Sequence, residues 1–140
     1  MAIATTLPAI VQFLKDDAGI AALAGTDIFG VEDPSPKTVR DCVIVNPNGG
    51  TPPPAIGRSY MPISRPRYDV ICYGRTPLTA LDLYSAVRSA FHGMTRTVTT
   101  NTMLYNAIQE GGPAQGRDQN TQRAFTLAVF DITSADDTIT

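Results

Sequence analysis

Leu7, Ile10, Val11 and Leu14 recur at the spacing of one helix face and predict an amphipathic helix, with Thr6 as N-cap and Pro8 in its first turn. Asp16-Asp17 ends that stripe. Ala18 to Ala24 forms a second short helical piece, and Gly25 after it suits a left-handed C-terminal cap. Ile28 to Glu32 predicts a brief strand before the breaker Asp33-Pro34-Ser35-Pro36.

Asp41-Cys42-Val43-Ile44-Val45 is a continuous β-branched run, the pattern of a strand covered on both faces. The Asn, Gly and Pro residues that follow predict a long exposed loop over residues 46–59. Tyr60 to Tyr73 resumes as a strand, edge-like early because of Pro62 and Pro66. From Tyr68 it alternates, with Tyr68, Val70 and Cys72 on one face and Asp69, Ile71 and Tyr73 on the other.

The clearest helix begins after Gly74-Arg75, with Thr76 as N-cap, Pro77 at the first helical position and Gly93 as the stop. Thr95 to Thr100 and Thr102 to Gln109 read as strand with a turn at Asn101, and residues 111–122 as a second long polar loop. Arg123 to Thr133 is the last strand, carrying Phe125, Leu127 and Val129 on one face. The other face, with Ala124, Thr126, Ala128, Phe130 and Ile132, is unusually apolar for a side turned to solvent, and residues 134–140 form an acidic tail. This order predicts one α+β domain over residues 1–140: a small, mainly antiparallel β-sheet, two main α-helices packed on one face, and long exposed loops.

Composition changes this picture little. A chain of 140 residues with 43% apolar content makes a single domain large enough for a core, which must be mostly aliphatic because tryptophan is absent. The N-terminus lacks the basic start and apolar stretch of a secretory signal, and no apolar run approaches the ~20 residues of a membrane span. Cys42 and Cys72 fall in strand-like runs and read as buried thiols in a reducing compartment.

The net charge of −2 conceals a division along the chain. Residues 1–57 carry three basic and six acidic groups, residues 58–123 eight arginines and four acidic groups, and residues 124–140 three aspartates alone. Such a division suits a head-to-tail contact between copies better than a twofold one. Neutralisation within each subunit is the competing reading. Arg58, Arg65, Arg67 and Arg117 from the basic segment, with the apolar Phe130 and Ile132, are the candidate protein-interface residues. Arg58, Arg65 and Arg67 also surround Tyr60 and Tyr68, a pattern that can stack on single-stranded nucleic acid.

Catalytic chemistry is not indicated. His92 is the one histidine and sits where it serves a helix end; no Gly-x-Ser-x-Gly elbow accompanies it. One His and two separated Cys cannot supply a zinc site. Neither glycine-rich stretch is followed by the Lys-Ser or Lys-Thr of a phosphate cradle. Asp69 and Asp82 could pair for acid–base work only if the fold brought them together. No cofactor is expected.

The stretches "AALAGTDIFGVEDPSP", "DCVIVNP", "RPRYDVICYGRTPLTALDLYSAVRSAFHG" and "RAFTLAVFDIT" together resemble the tail-terminator (tail-completion) proteins of long-tailed bacteriophages. The resemblance runs from Leu7 to Thr133 and is carried mostly by residues 68–93. It implies a virion protein assembled in the host cytoplasm. Such a protein is a homo-oligomeric ring, typically a hexamer, that caps the tail tube protein and presents a surface to the head-tail connector or neck protein. Genome DNA can pass through such a ring without sequence-specific contact. A neck or head-completion protein is the neighbouring alternative, and a small nucleic-acid-binding domain a more distant one.

Overall fold

The computed structural model describes residues 2–31, 40–51, 55–56, 59–60, 63–99, 102–118 and 123–136. Helix α1 spans Ala2–Lys15, α2 Ala18–Ala24 and α3 Pro77–His92. The strands are β1 (Ile28–Gly30), β2 (Cys42–Thr51), β3 (Ala55–Ile56), β4 (Ser59–Tyr60), β5 (Ile63–Gly74), β6 (Thr97–Thr99), β7 (Thr102–Arg117) and β8 (Ala124–Asp136). Six of them form one sheet in the order β1-β2-β5-β8-β7-β6, while β3 and β4 pair separately.

The α+β class is as expected, but the sheet is neither small nor uniformly antiparallel. β1 runs parallel to β2, the other pairings are antiparallel, and the sheet curls toward a half-barrel. Register shifts between Leu104 and Asn106, Gln109 and Gly111, and Gly111 and Ala114 supply local twist, since each extra residue bends the strand that carries it.

The helices follow from local chemistry. Thr76 caps α3: its side chain accepts from Thr79 N while Thr79 Oγ1 accepts from Thr76 N, with Pro77 in the first turn. Gly74 is required just before it, because a Cβ there would run into the backbone nitrogen of Ala80. Asp17, expected only to end α1, also caps α2 by accepting from Ile20 N at 3.0 Å. Gly25 then closes α2 at φ 62° and ψ −125°, a positive φ that favours glycine but not the left-handed helical cap expected of it. Thr6 is not a cap. The helix starts earlier, and Thr6 is a buried interior residue whose hydroxyl meets that of Ser134 on β8 at 3.0 Å.

One core lies between the three helices and a single sheet face. Ile10 and Leu14 of α1, Ile20 of α2 and Leu83, Val87 and Phe91 of α3 pack on Val43, Val45, Tyr68, Val70, Cys72, Leu104, Ala128, Phe130 and Ile132. Phe91 joins the layers, with its ring centroid 4.7 Å from Phe130 and 6.0 Å from Phe13. Cys42 and Cys72 are both buried free thiols, as expected. Cys72 pairs with Val43 and Cys42 with Tyr73, so the two thiols point to opposite faces.

Tyr68 is fully buried, and its hydroxyl has no hydrogen-bond partner among the described residues. Burial pushes its pKa from 10.0 up to about 12. The folded state therefore keeps the neutral phenol while the unfolded chain ionises first. Stability from this group is complete below pH 10 and is lost as pH rises to about 12, a loss of roughly 2–3 kcal/mol. Tyr68→Phe should remove that alkaline slope and raise stability at pH 7 by about 1 kcal/mol, since an unpaired hydroxyl leaves the core. Urea denaturation at pH 7 and pH 11 checks both; a less stable variant at pH 7 would show that the hydroxyl has a partner.

Candidate interaction surface

Strand alternation divides the sheet residues between the helix layer and an outer face. Cross-strand partners share a face, so the pairs Ile44–Ile71, Tyr73–Phe125, Ile71–Leu127 and Asp69–Val129 all look away from the helices. Ile71, Tyr73, Phe125, Leu127 and Val129 are only half-buried there, and Ile108 on β7 is 47% exposed. None of them belongs to the buried core cluster, and no described helix packs on this side. Apolar residues thus lie on both faces of one sheet, and among the described residues the helices pack on only one of them.

This reverses the expectation for β8. Phe130 and Ile132 are fully buried against the helices, so neither is available to a partner. Phe125, Leu127 and Val129 are the residues left facing outward.

The outer face ends in an aromatic and cationic cluster. The Arg123 guanidinium lies 4.0 Å from the Tyr73 ring centroid and donates to Cys42 Sγ at 3.6 Å. Phe125 meets Tyr73 edge-on at 6.1 Å. Arg123 is 4% exposed, and nothing in its local sequence marked it, because its partners come from β2 and β5. Lower on the same face, Arg67 Nε donates to Asp131 Oδ1 at 2.9 Å, and that hydrogen bond together with the aspartate charge holds the Arg67 pKa above its usual value.

The remaining candidates separate. Arg65 is exposed on β5, and Arg117 is exposed at the end of β7. Arg58 lies outside the described residues. Arg67 is neutralised within its own subunit by Asp131, the competing reading of the charge division. The stacking platform of Arg58, Arg65, Arg67, Tyr60 and Tyr68 is not formed, because the Tyr68 ring belongs to the core. Asp69 and Asp82 do not meet either. Asp69 accepts from Asn48 Nδ2 on the outer face, whereas Asp82 is exposed on α3 beyond the other face.

Both expected loops are largely strand. Residues 46–51 continue β2, and residues 111–117 continue β7 in register with Val129 to Ala124 of β8. The expected acidic tail begins as strand too, with Ser134 and Ala135 buried in β8; residues 137–140 lie outside the described residues.

A groove of about 660 Å³ lies between α3 and β7, lined by Tyr84, Arg88, His92, Gln109, Glu110 and Pro113 among others. Tyr84 Oη donates to Gln109 Oε1 at 3.0 Å across its floor. His92 is exposed in the last turn of α3, beside Arg88. Among the described residues no group of three or more His, Cys, Asp or Glu is placed to hold a metal ion. No described helix is long and apolar enough to cross a membrane.

No protein-family model matches the sequence, and no curated protein does. Among solved structures, the chain is similar to one described as the virion of a native gene transfer agent (GTA) particle. The TM-score is 0.67 at 19% identity, over 96% of this chain and 97% of that chain. At that identity the likeness establishes a shared fold over nearly the whole length of both.

Proposed function

We propose that this chain is a structural subunit of a phage-like virion, a ring at the end of the tail tube that stops tube growth and joins tail to head or neck. One observation carries the reading: the outer face of the six-stranded sheet bears half-buried Ile71, Tyr73, Phe125, Leu127 and Val129, and no described helix packs on them. A monomer rarely leaves a contiguous apolar surface of this kind open, and assembly is its usual cause. The fold shared with a chain of a gene transfer agent virion supports the same reading, as does the resemblance of residues 7–133 to tail terminators. The partners are further copies of the chain, the tail tube protein and a connector protein. No step of the role requires an enzyme, a cofactor or a membrane.

Disrupting the gene tests the reading by electron microscopy of the resulting particles. Tails of uncontrolled length, separate from filled heads, are expected. Normal tails with heads lacking their neck would instead place the chain on the connector side, and normal whole particles would remove it from assembly altogether.

A further inference from the structure

The groove between α3 and β7 lies on the helix side of the sheet, away from the apolar outer face. On its α3 wall Tyr84, Arg88 and His92 recur every fourth residue, so they stand in one row about 6 Å apart along the helix. Gln109, Glu110 and Pro113 stand on the β7 wall. The floor is already satisfied, because the Tyr84 hydroxyl donates to Gln109 Oε1 at 3.0 Å. The charged groups are not. Arg88, His92 and Glu110 are exposed, and among the described residues none of them makes an ion pair.

Arg88 and Glu110 thus line one groove with opposite charges and do not neutralise each other. The charge of Glu110 is felt at Arg67, but less than that of Asp131, which is bonded to that arginine directly. Opposite charges left unpaired across a groove of about 660 Å³ fit a guest that carries both signs. An extended peptide has that form. Its side chains alternate between two sides, and those on one side recur at about 6.6 Å, close to the spacing of the α3 row. A carboxylate at one position then meets Arg88 and His92, while a cation at the next turns to Glu110. Ser85 and Ser89 continue the polar α3 wall, lining with Arg88 and His92 a second hollow of about 490 Å³. Nucleic acid suits the groove less, since its phosphates would meet a single arginine and a carboxylate.

We propose that the groove between α3 and β7 binds an extended segment of a partner protein in which acidic and basic side chains alternate, the acidic ones on Arg88 and His92 and a basic one on Glu110. This contact goes beyond the virion role. It lies on the opposite side of the sheet from the apolar face that carries that reading, so failure of either leaves the other standing.

Three short peptides of equal apolar content test the full chain by backbone NMR: one alternating Glu and Lys, one with Glu alone, one with Lys alone. The alternating peptide should bind about tenfold tighter than either of the others and move the amide signals of residues 84–92 and 107–113. Arg88→Glu leaves acidic groups on both walls and should turn the preference to the Lys peptide. Glu110→Lys leaves basic groups on both walls and should turn it to the Glu peptide. Both positions are exposed, so each variant should melt with the wild type. Peptides that leave those signals unmoved, or a ranking that survives both reversals, would overturn the proposal. So would a short single strand of DNA that binds there more tightly than the alternating peptide.

Discussion

Phe130→Ala is expected to unfold the subunit or lower its stability by about 3–5 kcal/mol, the cost of emptying a large aromatic site in a packed core. Phe130 is fully buried, and its ring meets Phe91 of α3 at 4.7 Å, so the cavity would open where the helix layer meets the sheet. Against a typical domain stability of about 5–15 kcal/mol, such a loss is large enough to deplete folded protein at growth temperature. The same substitution separates the two assignments of β8. Were Phe130 an interface residue, the variant would melt with the wild type and fail only in association. Thermal denaturation of the isolated subunit decides it.

The reversed faces of β8 show where the sequence stopped being legible. Alternation separates Phe125, Leu127 and Val129 from Ala128, Phe130 and Ile132 correctly, but both sets are apolar, and period two cannot say which faces the helices. Only the pairing of Tyr68 with Phe130, from a strand distant in sequence, fixes the choice.

Local signals fared better. The Thr76 cap with Pro77 and the stop at Gly25 are set by neighbouring residues, and α3 and α2 appear where those residues placed them. Residues 46–51 and 111–117 misled for a different reason. Asn, Gly and Pro exclude a central strand, yet at an edge one side of the backbone has no ladder to satisfy. β2 beyond the reach of β1 and β7 beyond the reach of β6 are both such edges. Arg123, Tyr73 and Cys42 come from three strands, so no local motif could announce their cluster.

Leu127→Lys should leave the subunit folded and abolish its place in particles. Leu127 is half-buried on the outer face, opposite Ile71. On the free subunit a lysine stem can lie along that face with its ammonium in water. Under a partner the charge would be buried without a counterion, a penalty of several kcal/mol, so a loss of incorporation of about 100-fold or more is expected. Mixed expression with the wild type, followed by mass spectrometry of purified particles, measures it. Equal incorporation of both chains would mean that the outer face stays open to water in the assembled particle.

The proposed role is a position: a ring of this chain at one end of a tail tube. Antibody labelling of purified particles under the electron microscope reads that position directly. Label is expected at a single site per particle, where tail meets head, and at the same end of isolated tails. Label along the whole tube, label on the capsid, or particles free of the chain would contradict it.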